Sequence, residues 1–270
     1  MIRLSNVHKH FNTGTANEVY ALRGVSLHIR PGEFVTIIGT NGSGKSTLLN
    51  AVSGTFLPDD GTIEVAGRDV TRRRDFQRAR YIARVFQNPF TGTAPDMTIE
   101  ENLHMAWLRG RRTYPRLGLT AARRAGFAEA VKQLEMQLEG RLDTVIGTLS
   151  GGQRQAVTLL MAVINHPQVL LLDEHTAALD PKSASQVVKL TKKFIARDRL
   201  TAIMVTHSMQ QALELGDRTI MMNRGQIIDD ITLEEKRRLT VDDLLEKFAE
   251  LRKTEQLTQE MLESLRREYV

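Results

Sequence analysis

The run Gly39-Thr40-Asn41-Gly42-Ser43-Gly44-Lys45-Ser46-Thr47 constrains this chain more than any other feature. It fits the pattern G-x-x-x-x-G-K-[ST]. An apolar strand candidate, Phe34–Ile38, leads into it, and a helical stretch, Ser46–Val52, leads out. Glycines at these places let backbone N–H groups converge on phosphate oxygens without Cβ clashes. The start of the following helix adds partial positive charge. Lys45 then supplies a full positive charge to the terminal phosphates, and the Ser46 hydroxyl is a candidate Mg²⁺ ligand. A chance glycine-rich turn would not carry a strand and a helix on its two flanks.

The surrounding pattern is α/β. Short β-type runs at Ile2–Val7, Val25–Ile29, Phe34–Ile38, Thr62–Val65 and Ile82–Phe86 precede helical stretches at Met97–Arg109 and Thr120–Leu138. A helix to Asn165, a strand Val169–Leu172, a helix from Pro181 to Ala196 and a strand Ala202–Val205 follow. Such alternation predicts a largely parallel sheet. Thr219–Met222 and Gln226–Asp229 predict a hairpin. Thr240 and Asp243 predict a capped tail helix with an apolar stripe of Val241, Leu244, Leu245, Phe248 and Leu251. The longest nearly apolar stretch, Ala156–Ile164, is nine residues, well short of the roughly 18 a membrane-spanning helix needs. No apolar leader follows Met1, and the absence of cysteine excludes a disulfide scaffold, cysteine-ligated zinc and thiol catalysis. The net charge of +5 is localised: 71–84 hold six Arg and one Asp, and 109–124 hold six Arg and no acid. The charge alone fits a solvated surface, nucleic acid or an anionic membrane face.

Two further motifs bear on chemistry. Val169-Leu-Leu-Leu172-Asp173-Glu174 is a buried strand ending in two acids, at the strand end where ligands bind in such sheets. Asp173 is expected to serve Mg²⁺ through water, and Glu174 to polarise a water toward the γ-phosphate. Leu149-Ser150-Gly151-Gly152-Gln153 opens a helix. Ser150 suits an N-cap. Two glycines after a cap are costly in a helix, about 1 kcal/mol each, and make sense where backbone amides approach an anion. The chain thus owns two phosphate cradles. Either they face each other within one chain, or two chains pair head to tail and share each nucleotide.

Together these motifs resemble the ATP-binding subunit of an ABC transporter, over residues 2–232. The resemblance implies a P-loop NTPase fold with a β-rich N-terminal subdomain, a RecA-like core and an inserted helical subdomain at about 90–160, leaving 233–270 as a C-terminal helical tail. It implies a two-chain sandwich in which Ser150, Gly151, Gly152 and Gln153 of one chain close on ATP held by the loop of the other. Gln87 matches the family's glutamine that touches Mg²⁺ and senses the membrane partner. Asp180 matches an aspartate that crosses the interface, and it also suits a cap for the helix at Pro181. His207 matches the histidine that contacts the γ-phosphate. Phe11 matches the aromatic that stacks on adenine, with Tyr20 as its rival. His175 stands where the family usually has Pro, Ala177 where Ser is common and Thr40 where Pro is frequent. His175 bears on loop rigidity and pH response beside Glu174. The segment Phe90–Leu103 is similar to importer ATPases that work with a branched-chain-amino-acid-type permease and a substrate-binding protein. Expected, then, are ATP and Mg²⁺, a second copy or a homologous ATPase chain, permease subunits, the cytoplasmic membrane face, a small-molecule cargo such as an amino acid, and no nucleic acid. Exporter or lipid-extraction ATPases share every motif. Soluble relatives acting on DNA or ribosomes carry coiled-coil insertions or two cassettes, which this chain lacks.

Overall fold

The computed structural model describes residues 1–111 and 118–247. Its centre is a six-stranded sheet containing β3 (Phe34–Gly39), β6 (Ile82–Val85), β7 (Val169–Asp173), β8 (Thr201–Val205), β9 (Arg218–Asn223) and β10 (Gln226–Ile231). The spatial order is β10-β9-β3-β8-β7-β6. Only the β9–β10 pair is antiparallel. Its turn sets Arg224 and Gly225 at positive φ, as a two-residue hairpin turn of matching twist demands. A second sheet, order β2-β1-β4-β5, is formed by β1 (Ile2–Phe11), β2 (Val19–Ile29), β4 (Asp60–Val65) and β5 (Arg68–Asp69), all antiparallel.

Side chains alternate along a strand, and the central strands use both faces. Leu170, Leu172, Ala202 and Met204 pack into one cluster with Leu103 of α3 (Ile99–Leu108), Val131 of α4 (Ala121–Lys132), Leu159 of α5 (Gly151–Val163) and Phe194 of α6 (Pro181–Asp198). Val169, Leu171, Ile203 and Val205 turn the other way, against the second sheet and Leu48, Leu49 and Val52 of α1 (Lys45–Ser53). Burial on both faces explains why these strands read as unbroken apolar runs. Short helices α2 (Asp75–Arg78), α7 (Met209–Glu214) and α8 (Leu233–Lys236) complete the fold.

Several boundaries differ from expectation. β1 and β2 run several residues beyond their apolar cores, through register shifts after Leu4, Val7 and Lys9. The helix expected over Thr120–Leu138 stops at Lys132, because Glu135 and Gln137 turn into left-handed backbone that buries Leu134 and Leu138. The strand expected to reach Phe86 ends at Val85. In the tail, Thr240 N–H donates to Asp243 at 2.6 Å, and Leu244 is fully buried near Met221 and Ile231. Val241 and Leu245 stay exposed, and Phe248 and Leu251 lie outside the described residues, as does 112–117 of the second basic segment.

Candidate nucleotide-binding site

Parallel neighbours β3, β8, β7 and β6 end at one edge of the sheet, and each delivers one part of the site there. β3 runs into the glycine-rich loop. Gly39 admits no side chain, since a Cβ would lie 2.3 Å from the Met222 carbonyl oxygen. Gly44 has φ +97 and presses on the Ala21 carbonyl, where a Cβ would come within 2.7 Å. The loop therefore closes tightly enough to fold the Lys45 ammonium inward, donating to the Gly39 and Thr40 carbonyls at 2.9 Å each. Burial lowers the Lys45 pKa, and the Glu174 and Asp173 carboxylates oppose that shift.

β7 delivers the acids. Ser46 Oγ lies 3.5 Å from Asp173 Oδ1, and Arg84 of β6 donates to Asp173 Oδ2 at 2.6 Å. Glu174 leaves the strand in left-handed backbone, φ 46, while its N–H still donates to the Val205 carbonyl at 3.0 Å. Strained backbone of this kind persists where surroundings hold it, and it swings Glu174 away from Asp173. His207, just past β8, meets Glu174 Oε1 at 2.6 Å. Gln87, just past β6, donates to Glu174 Oε2 at 3.1 Å. Each carboxylate oxygen thus has its own donor. The turn carrying His207 is set by Gln211, which accepts from Thr206 Oγ1 and donates to Thr176 Oγ1.

The cleft over this edge measures about 320 Å³ and is lined by Phe11, Val19, Ala21, Asn41–Thr47, Glu174 and His207. Phe11 stands edge-on to Phe56, with ring centres 5.2 Å apart. Its rival Tyr20 is instead stacked on His10 at 3.8 Å and lies outside the lining. The oxygen donors Ser46, Asp173 and Gln87 suit Mg²⁺, which is commonly held by only one or two carboxylates together with substrate phosphate and water. Among the described residues no group of three His, Cys, Asp or Glu could hold a metal ion.

Ser150 and Gln153 form a capping box at the start of α5. The loop before them is pinned by Arg154, whose guanidinium donates to the Ile146, Gly147 and Leu149 carbonyls and lies 3.7 Å from the centre of the Phe90 ring. Gly152 has a packing reason that the sequence argument lacked: a Cβ there would meet Ser183 of α6 at 2.6 Å. Gly151 has no such reason, since its Cβ would make only an ordinary 3.5 Å contact with Leu179. None of Ser150–Gln153 lines the cleft, so the two cradles stay apart within one chain. Asp180 caps α6, accepting from Ser183 N–H at 3.1 Å, and its bonds with Ser183 hold its carboxyl below the usual range.

His175 is buried. The Thr191 hydroxyl donates to the Val187 carbonyl, so His175 Nε2–H donates to Thr191 Oγ1 at 3.0 Å. Burial pushes its imidazole down to about 4, so it stays neutral beside Glu174. Sequence reasoning missed Arg84, Arg154 and Gln211. Arg84 left a signal, as a charge inside the apolar run Ile82–Phe86.

The sequence profile described as ABC transporter matches residues 22–177. A tyrosine transport ATP-binding protein of Clostridioides difficile is 40% identical over 253 residues, covering 92% of this chain and 98% of that protein. This chain belongs to the ABC transporter family. A probable amino-acid import ATP-binding protein of Bacillus subtilis is 35% identical, covering 87% of this chain and 90% of its own length. A dimeric ATP-binding cassette in a post-hydrolysis state with ADP and Pi superposes with a TM-score of 0.73 at 31% identity, over 86% of this chain and 99% of that one. As an ABC ATP-binding subunit, the protein hydrolyses ATP to power transport. ATPase domains of this family bind ATP, dimerise, work with transmembrane permease subunits and associate with the membrane through them. No helix among the described residues is long and apolar enough to cross a membrane.

Proposed function

We propose that this subunit powers uptake of an amino acid, with tyrosine the first candidate, at the cytoplasmic face of the membrane. Two copies act together with permease subunits and a substrate-binding protein. The cargo reading is carried by the end-to-end likeness to the tyrosine transport ATP-binding protein. The mechanistic reading is carried by the meeting of Ser46, Asp173, Glu174, Gln87 and His207 at one sheet edge.

In this reading Gly39, Thr40, Asn41, Gly42, Ser43, Gly44 and Thr47 shape the backbone cradle for the ATP phosphates. Phe11 stacks on the base. Lys45 bonds the β- and γ-phosphates, trading two backbone carbonyls for stronger, charge-assisted partners. Ser46, Asp173 and Gln87 would hold Mg²⁺, which when bound supplies charge neutralisation to the phosphates. Glu174 orients the attacking water and receives its proton. The His207 imidazole and the Gln87 amide, one on each oxygen, keep that carboxylate from rotating away. Ser150, Gly151, Gly152 and Gln153 of a second copy close over the γ-phosphate, and its Asp180 crosses beside them. Gly151, open to solvent and free of any packing need, is the place where a partner's phosphate approaches the backbone. A groove of about 460 Å³, lined by Phe86, Met105, Met161 and Ala162 with Arg84 and Arg109 among them, is the seat for a permease segment. Its Phe86 wall adjoins Gln87, which connects groove occupancy to Glu174.

The test is reconstitution in vesicles with permease subunits and a substrate-binding protein. ATP-dependent accumulation of radiolabelled tyrosine or a related amino acid is expected, and Glu174→Gln abolishes it. Accumulation of none of the amino acids, with ATPase stimulated instead by a lipid or lipoprotein, would overturn the cargo reading.

A further inference from the structure

Arg84 sits where the nucleotide site and the groove touch. It lies on β6, at the edge of the sheet, in register with Leu171 of β7. One guanidinium nitrogen donates to Asp173 Oδ2 at 2.6 Å, and the other donates to Asn50 Oδ1 of α1 at 2.5 Å. The guanidinium carbon stands 4.7 Å from the centre of the Phe86 ring. Arg84 and Phe86 both line the groove. The Arg84 side chain is only 13% exposed and that of Asp173 only 14%. Burying such a pair costs desolvation on both sides, so it is weak evidence for stability and invites a search for another role. Arg84 Nε is buried with no partner among the described residues, so the guanidinium is oriented for Asp173 and Asn50 at the expense of its third nitrogen.

We propose that Arg84 is a positioning residue for Asp173, and that the groove sets its position through Phe86. This rests on Asp173 being the metal-serving carboxylate. Arg84 clamps Oδ2, which leaves Oδ1 facing Ser46. Asn50 fixes the clamp to α1, the helix that begins at the phosphate loop. Groups that hydrogen-bond a metal-serving carboxylate fix its orientation, and their loss typically weakens metal binding 10–100-fold. The ring of Phe86 supports the other side of the guanidinium by cation–π attraction. A segment that presses on Phe86 therefore reaches Asp173 through Arg84, while the adjacent Gln87 reaches Glu174.

The experiment measures Mn²⁺ affinity of the full chain saturated with ADP, from the electron paramagnetic resonance signal of free Mn²⁺. ADP affinity in EDTA is measured in parallel by calorimetry. Arg84→Met is expected to weaken Mn²⁺ binding by about 10-fold or more, with ADP affinity in EDTA unchanged. Arg84→Lys, which reaches one acceptor, recovers part of the loss. Phe86→Ala, which touches neither Asp173 nor nucleotide, shifts Mn²⁺ affinity in the same direction by less. Arg84→Met strands a buried carboxylate and risks misfolding; Arg84→Lys and Phe86→Ala then carry the test. Unchanged or tighter Mn²⁺ binding in the Arg84 variants, with Asp173→Asn weakened, overturns the proposal alone. Unchanged binding in Asp173→Asn overturns the metal reading beneath it.

Discussion

Replacing His175 should change how stability depends on pH. The folded chain holds this imidazole neutral down to about pH 4, while the unfolded chain protonates it near 6.5. As pH falls below 6.5 the unfolded state gains a proton that the folded state refuses, so stability declines. The decline starts near the unfolded pKa and levels off below the folded one. Between pH 7 and pH 5 the difference in proton uptake integrates to about 2 kcal/mol, rising to roughly 3 kcal/mol by pH 4. His175→Gln does not titrate and keeps a donor for Thr191. Urea unfolding of both proteins at pH 7 and pH 5 isolates the effect, because every other titrating group is shared. The wild type should lose about 2 kcal/mol more than the variant, or roughly 4–8 °C in melting temperature for a chain of this size. Parallel pH profiles, within about 0.5 kcal/mol, would refute the buried neutral imidazole. An NMR titration that places the His175 midpoint near 6.5 in the folded protein would refute it independently.

Lys45→Ala removes the full charge at the loop while leaving its backbone amides, and ATPase activity should fall to background in a phosphate-release assay. Glu174→Gln keeps the bonds available to His207 and Gln87 in part but cannot take a proton. Hydrolysis should drop by about 10²-fold or more, and size exclusion should show a dimer with ATP and not with ADP. A wild-type rate in that variant would move the catalytic role elsewhere. Gly152→Ala forces a methyl to within 2.6 Å of Ser183 and should cost about 1–3 kcal/mol through displacement of α5 from α6, read as a lower urea midpoint. Gly151→Ala should leave the unfolding free energy within about 1 kcal/mol yet impair the ATP-dependent dimer.

Local signals made the skeleton of the site legible. The loop, the acid pair and the capped α5 each lie in one short stretch, and each rests on an ordinary rule: glycine freedom, burial of apolar strands, satisfaction of helix-end donors. What the sequence hid is what the fold assembles from distant stretches. Nothing near Gly152 announces Ser183, thirty-one residues on, and so the glycine pair read as one device for anion approach. The structure adds a packing reason for Gly152, against Ser183 of α6, and shows only an ordinary contact at Gly151. Arg84 was hidden for the same reason, since its partners Asn50 and Asp173 come from elements far apart in the chain. Its position also explains why a charge is tolerated in so apolar a strand. Asp173 ends β7 with its side chain only 14% exposed, and an anion so enclosed needs a fixed counter-charge whether or not it serves a metal as proposed. β6 is the strand beside β7, so the residue that meets this need comes from β6. Just past Val85 that strand leads to Phe86 on the groove wall and to Gln87, so the group that steadies Asp173 is placed to feel whatever the groove holds.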